Sequence, residues 1–145
     1  MRYYEAAASI AAPPTAVWSV LENGDGYAAW DSGITRVEGS IENGERIKVH
    51  TAISPKRAFP VTVHIDRAAG IMTWTGGMPL GLFRGVRTFH VTATDDGKTE
   101  FTMREEFTGP MLGPIWRSMP DLAPSFAQFA AGLTAQAEHV DAEDA

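Results

Sequence analysis

The sequence predicts an α+β fold in which one antiparallel sheet of about seven strands wraps around a long C-terminal helix. Three observations carry this expectation. Apolar and polar residues alternate with period two in most segments between Ile34 and Phe107, the mark of strands with one covered and one wetted face. Short turn signals separate those segments, so consecutive strands pair as hairpins. From Leu122 to Val140 the apolar period changes to that of an amphipathic helix.

Tyr3 to Ile10 forms the first strand, and Pro13-Pro14 stops it because proline removes a ladder donor. Pro14 also suits the first turn of a helix, where its missing N–H is no loss. Ala16, Val17, Val20 and Leu21 follow at helical spacing until Asn23-Gly24 ends that helix. A second short helical turn is expected over Gly26 to Trp30.

The strand sets come next: Ile47/Val49/Thr51, Val61/Val63/Ile65, Phe89/Val91/Ala93 and Phe101/Met103/Glu105/Phe107 each occupy one face. Glu42-Asn43-Gly44, Ser54-Pro55-Lys56, Ala68-Ala69-Gly70, Gly76-Gly77 and Asp95-Asp96-Gly97 supply the turns. Beyond Phe107, Gly109-Pro110 and Gly113-Pro114 punctuate a loop, with one helical turn expected from Ile115 to Met119. Asp121 caps the long helix and Pro124 is tolerated in its first turn. Leu122, Phe126, Phe129, Ala130, Leu133, Ala137 and Val140 form the stripe that packs into the concave sheet face. Residues 1–140 are read as one domain, and residues 141–145 as a short, frayed acidic tail.

With 145 residues the chain can bury roughly 68–70% of its unfolded surface, enough for a core that encloses a cavity. A net charge of −6 argues against a nucleic-acid partner and disfavours anionic membrane surfaces. The absence of cysteine excludes disulfides, thiolate nucleophiles and Cys-ligated metals. No apolar run has the length of a membrane span, and no signal-peptide core follows Met1, so a cytoplasmic protein without membrane insertion is expected. No cofactor and no metal site is expected. The four histidines lack the helical spacing of a zinc protease, and the serines lack a nucleophile elbow.

The segment Ser9-Ile10-Ala11-Ala12-Pro13-Pro14-Thr15-Ala16-Val17-Trp18, followed by Tyr27-Ala28-Ala29-Trp30, resembles the N-terminal signature of the START-like (SRPBCC) superfamily. That group includes polyketide cyclase/dehydrase-like proteins, lipid-transfer domains and the major birch-pollen allergen. Gly81-Leu82-Phe83-Arg84-Gly85 and Met103-Arg104-Glu105-Glu106-Phe107-Thr108-Gly109 also look like segments of its cyclase-like members. The resemblance implies a helix-grip fold over nearly the whole chain, gripping an apolar cavity between sheet and C-terminal helix. One branch of the superfamily holds iron with two histidines and a carboxylate. This chain has no closely spaced histidine pair, so that chemistry is not carried over.

Within such a cavity the sequence offers Trp30, Trp74, Met78, Phe83, Met103, Met119 and Phe126 as apolar lining. Strand parity adds Arg87, on the face of Phe89 and Val91, and Glu105, on the face of Met103 and Phe107. If the Asp95-Asp96-Gly97 turn joins their strands, the two charges are neighbours on the apolar side, where they must pair with each other or with a ligand. The stretch Gly76 to Phe83 is a glycine-rich apolar loop suited to a flap over the entrance. Three functions fit these features. The first is binding of a small hydrophobic or aromatic molecule with one polar end. The second is a cyclase/dehydratase-type enzyme that uses Arg87 and Glu105. The third is a protein-interaction module resembling chaperone co-activators. Composition does not fix the oligomeric state.

Overall fold

The computed structural model describes residues 1–144. Seven strands, β1 (Arg2–Ile10), β2 (Ile34–Glu38), β3 (Arg46–Thr51), β4 (Ala58–Asp66), β5 (Ile71–Gly77), β6 (Arg84–Ala93) and β7 (Thr99–Thr108), form one sheet in the order β1-β7-β6-β5-β4-β3-β2. Every pairing is antiparallel. Helices α1 (Pro14–Leu21), α2 (Leu112–Ser118) and α3 (Ala123–Asp144) complete the fold. The expected helical turn after α1 lies earlier than the sequence suggested, as a 3₁₀ turn over Gly24–Gly26, while Tyr27 to Trp30 continue as plain turns. The long helix begins where the Asp121 carboxylate accepts a bond from the Ala123 N–H (3.0 Å). It runs past Val140 to Asp144, with His139 and Glu143 one turn apart in contact at 3.1 Å.

The alternation read from the sequence is realised as two different faces. On the concave side Phe89, Phe101, Met103, Met72, Val63 and Ile47 are buried against α1 and α3. On the convex side Arg104 pairs with Glu106 and Glu5 and lies 3.8 Å from the Tyr3 ring centre. The pattern in β2 is interrupted between Ile34 and Arg36 by a register shift, which brings both Ile34 and Val37 to the buried side.

Packing of α3 is set by one glycine. The Trp30–Asp31 turn lies directly on the helix at Gly132, where a Cβ would collide with the Asp31 carbonyl oxygen and meet Trp30 Cε3 at 3.1 Å. Gln128 Nε2 donates to Asp31 Oδ1 (2.6 Å) and fastens the same crossing. Beneath it Tyr27 is fully buried, its hydroxyl donating to the Leu21 carbonyl at 2.5 Å. Burial pushes the Tyr27 phenol far above the ordinary tyrosine range; the Arg87 charge opposes this shift and Glu22 adds to it.

Two outcomes follow from this crossing. In an open helix Gly→Ala would gain about 1 kcal/mol, but Gly132→Ala meets backbone, so a loss of roughly 1–3 kcal/mol is expected in urea unfolding. Equal or higher stability would show that the turn is not seated there. The stabilising contribution of the protonated Tyr27 is full below about pH 10 and is lost as pH rises beyond it, because the unfolded chain gives up that proton first. The 295 nm phenolate signal of Tyr27, taken as wild type minus Tyr27→Phe, should therefore develop only together with loss of the circular dichroism signal. Its appearance near pH 10 in folded protein would contradict the burial.

Candidate functional site

The site is assembled by register. Trp74 in β5 stands opposite Arg87 in β6, Arg87 opposite Glu105 in β7, and Glu105 opposite Tyr4 in β1. All four occupy the concave face, near the end of the sheet where the hairpin loop between β5 and β6 and helix α2 lie. Arg87 Nε donates to Glu105 Oε1 at 2.7 Å, and the two side chains are 20% and 18% exposed. The guanidinium lies 4.8 Å from the centre of the Phe126 ring, which α3 supplies. Among the described residues its two Nη groups carry no hydrogen-bond partner, so this end of the fork is free to meet an acceptor. Glu105 Oε2 turns toward Gly85, 3.1 Å from the point a Cβ would occupy, so glycine there leaves room for the carboxylate.

An aromatic cage surrounds the pair. Tyr27 contacts Trp30 (5.4 Å between ring centres), Trp74 (6.1 Å) and Phe129 (6.2 Å). Trp30 meets Phe129 edge-on at 5.2 Å, and Trp74 meets Phe89 edge-on at 4.9 Å. On the other flank Tyr4 touches Phe126, Trp116 and Phe107 at 5.6, 5.3 and 6.3 Å. Two indole nitrogens, Trp30 Nε1 and Trp74 Nε1, are buried without a hydrogen-bond partner.

The nine residues singled out from the sequence do not all meet. Trp74, Arg87, Glu105 and Phe126 come together, and Trp30 joins them through Tyr27 and Phe129. Phe83 stacks on Phe107 (5.9 Å) at the rim. Met103 is fully buried opposite Phe89 and Ala6, deep in the core. Met78 lies on the exposed β5–β6 loop, and Met119 is half-buried where α2 ends. Tyr4, Tyr27 and Trp116 were not anticipated. Parity alone would have placed Tyr4, which shares its face with Ala6, Ala8 and Ile10.

Around the mouth the surface is apolar and basic. Ile53, Phe59, Met78, Leu82 and Met111 are exposed, and Leu80, held at φ 60°, is 98% exposed. Residues 51–60, 77–88 and 107–120 contain Lys56, Arg57, Arg84, Arg87 and Arg117 and no acidic residue. The β5–β6 loop is tied on one side, since Met111 N–H donates to the Leu82 carbonyl (2.9 Å). A separate polar cleft of about 600 Å³ lies on the outside between Asn23–Asp25 and Gly39–Asn43, where Arg67 is paired with Glu22. The histidines stand apart from the site. His50 bonds Glu38 at 2.7 Å, a contact that holds the Glu38 carboxyl below its usual range, and its cross-strand neighbours are Arg36 and Ala58. No helix among the described residues is long and apolar enough to cross a membrane.

Comparison with solved structures returns the same architecture. The Zhui aromatase/cyclase from Streptomyces sp. R1128 superimposes with a TM-score of 0.71 at 16% identity, covering 95% of this chain and 94% of that one. The hypothetical protein jhp0584 from Helicobacter pylori gives 0.75 at 12% identity, with 94% and 88% covered. Ara h 8.0201 gives 0.65 at 18% identity, with 98% of each chain covered. At such identities the likeness is one of fold. Among curated protein sequences none matches the chain. The family model described as polyketide cyclase / dehydrase and lipid transport matches residues 1–138. With the helix-grip architecture and this match over nearly its whole length, the chain belongs to the polyketide cyclase/dehydrase and lipid transport family.

Proposed function

We propose that the protein binds a small, largely apolar or aromatic molecule at the concave mouth and holds its polar end with Arg87. The carrying observation is the Arg87–Glu105 pair laid across Phe126, with the Nη groups of the guanidinium unengaged. A structural ion pair alone would be satisfied by saturating both partners. Here one nitrogen serves Glu105, and the remaining donors of the guanidinium are left without a partner among the described residues. The aromatic rings around them supply area for a flat apolar body. Family membership supports the same reading. The exposed apolar loop is what a protein-interaction module would use, but it leaves the polar groups inside the cage unexplained.

A cyclase/dehydratase reading has one observation in its favour. Glu105 Oε1 is engaged by Arg87, while Oε2 is directed at the space beside Gly85. A carboxylate held by one oxygen and free at the other is suited to move a proton on a bound substrate. The two readings part at Glu105: a carrier tolerates Glu105→Gln, whereas an enzyme of this kind loses its turnover.

Two probes of similar shape test the anchor. 1-Anilinonaphthalene-8-sulfonate carries an anionic group, and N-phenyl-1-naphthylamine lacks it. Arg87→Met should weaken the anionic probe by about 10-fold or more, as expected for a lost charge-assisted hydrogen bond. Affinity for the neutral probe should stay within about 2-fold. The Arg87→Met, Glu105→Gln double variant removes the stranded carboxylate as a cause. Equal losses for both probes would make the pair structural, and failure of either probe to bind folded wild type would remove the apolar site.

A further inference from the structure

Because all neighbouring strands run antiparallel, their connections sort onto two ends of the sheet. One end collects residues 52–57 between β3 and β4, residues 78–83 between β5 and β6, and the stretch after β7 that leads through α2. The other end collects residues 39–45, 67–70 and 94–98. Helix α3 runs toward that far end, where the Glu138 carboxylate accepts a bond from the Ala11 N–H just past β1. A net charge of −6 by itself disfavours an anionic surface, but the charge is unevenly placed. Glu42, Glu45, Asp95, Asp96, Glu138 and Glu143 stand toward the far end, where Arg67 and Lys98 are paired with Glu22 and Asp96. Lys56, Arg57, Arg84 and Arg117 stand at the mouth. All four are exposed, and among the described residues none of them pairs with a carboxylate. The carboxylates that approach this end are engaged: Glu105 by Arg87, Asp31 by Gln128 and Asp121 by the Ala123 N–H.

The same end carries the exposed apolar side chains Ile53, Phe59, Met78, Leu80, Leu82 and Met111. Leu80 stands clear of the body: it is 98% exposed, and a Cβ added at the adjacent Gly81 would meet nothing within 4 Å. Its left-handed backbone (φ 60°) is unfavourable for a residue with a side chain. The loop thus holds a leucine outward at a cost that the leucine's own packing does not offset. It is a closed loop, in which the Met78 N–H donates to the Phe83 carbonyl (2.8 Å) and the Leu82 N–H to the Pro79 carbonyl (3.3 Å). An apolar tip of this kind, flanked by unpaired cations, is a projection. A protein partner needs a hollow of matching shape to receive it, whereas the headgroup region of a bilayer yields around it. We propose that this end of the molecule docks on an anionic lipid bilayer. Leu80, with Met78 and Leu82 beside it, enters the boundary between headgroups and acyl chains, and the four cations lie at the level of the lipid phosphates. The contact is peripheral, since no helix among the described residues is long and apolar enough to span. Docking in this orientation turns the acidic end away from the bilayer. Its repulsion is then screened by distance, while the cations act within a Debye length, about 10 Å at 0.1 M salt. The proposal does not depend on what the concave face binds.

Co-sedimentation of the full chain with two kinds of vesicle tests this. One is phosphatidylcholine alone, and the other is equal parts phosphatidylcholine and phosphatidylglycerol. Wild type should bind the mixed vesicles at least about 10-fold more tightly than the neutral ones, and raising the salt should remove most of that difference. Leu80→Ser should weaken binding to mixed vesicles by about 10-fold, the effect of one leucine left in water. The double variant Lys56→Gln, Arg57→Gln should weaken it by about 10-fold or more. Lys98→Gln, which removes a cation from the far end, should leave it unchanged. The positions changed are exposed, so thermal unfolding followed by circular dichroism should match wild type for every variant. Absence of wild-type binding to mixed vesicles at low salt overturns the proposal. So does a loss with Lys98→Gln as large as that with the mouth variants, because the attraction would then not be local. An unchanged Leu80→Ser overturns the placement of the loop tip. Sedimentation of the protein alone covers the remaining occupant: a dimer broken by Leu80→Ser, without vesicle binding, would assign this end to a second copy of the chain instead.

Discussion

Everything at the concave mouth depends on the register of the β6–β7 hairpin. Its ten pairs run without interruption from Arg84 opposite Thr108 to Ala93 opposite Thr99. Because side chains alternate with period two, a slip of one residue in β6 would send Arg87 to the convex surface and bring Val86 and Thr88 inward. The register is held by the apolar positions that share the face: Phe89 opposite Met103 and Val91 opposite Phe101 are buried, and neither strand can shift without exposing them. Packing of ordinary core residues therefore fixes the address of the charged pair.

Most of the fold is legible in the sequence because it is written in two periods. The strands between Ile34 and Phe107 and the stripe on α3 follow from alternation and the 3.6 repeat, and the adjacency of Arg87 and Glu105 follows from parity plus one turn. The exceptions share a cause. Gly24–Gly26 forms the 3₁₀ turn, rather than the expected Gly26–Trp30 segment, because the following residues are held by contact with α3, with Asp31 on Gln128 and Gly132. The extra residues of α3 carry no apolar periodicity, and helix propagation needs none once the preceding turns are in place. Tyr27 and the indole nitrogens depend on three separate segments meeting, which no local pattern encodes. The outer cleft is likewise built from two turns distant in sequence.

The interior combines two opposing demands. Rings of Phe89, Phe101 and Phe129 stabilise the domain through area and mutual contact. A charged pair and two unmet donors a few residues away cost stability. An all-apolar replacement of similar volume would often be neutral or stabilising, so their presence is not explained by folding alone. The cost is moderated by position: Arg87 and Glu105 retain about a fifth of their exposure, and the cation rests on an aromatic face. The donors sit deeper, where water reaches less and a correct partner counts for more.

The distribution of charge around the mouth has a consequence for encounter rather than for affinity. The molecule as a whole repels anions, with a net charge of −6, yet Lys56, Arg57, Arg84 and Arg117 lie in the stretches around the entrance, where the Glu105 carboxylate is paired with Arg87. Long-range repulsion keeps an anionic or electron-rich solute from lingering on the body, while the local field at the entrance draws it in over about a Debye length, some 10 Å at 0.1 M salt. Capture then becomes a matter of orientation: the route of approach is chosen by the field before any contact with the aromatic interior is made.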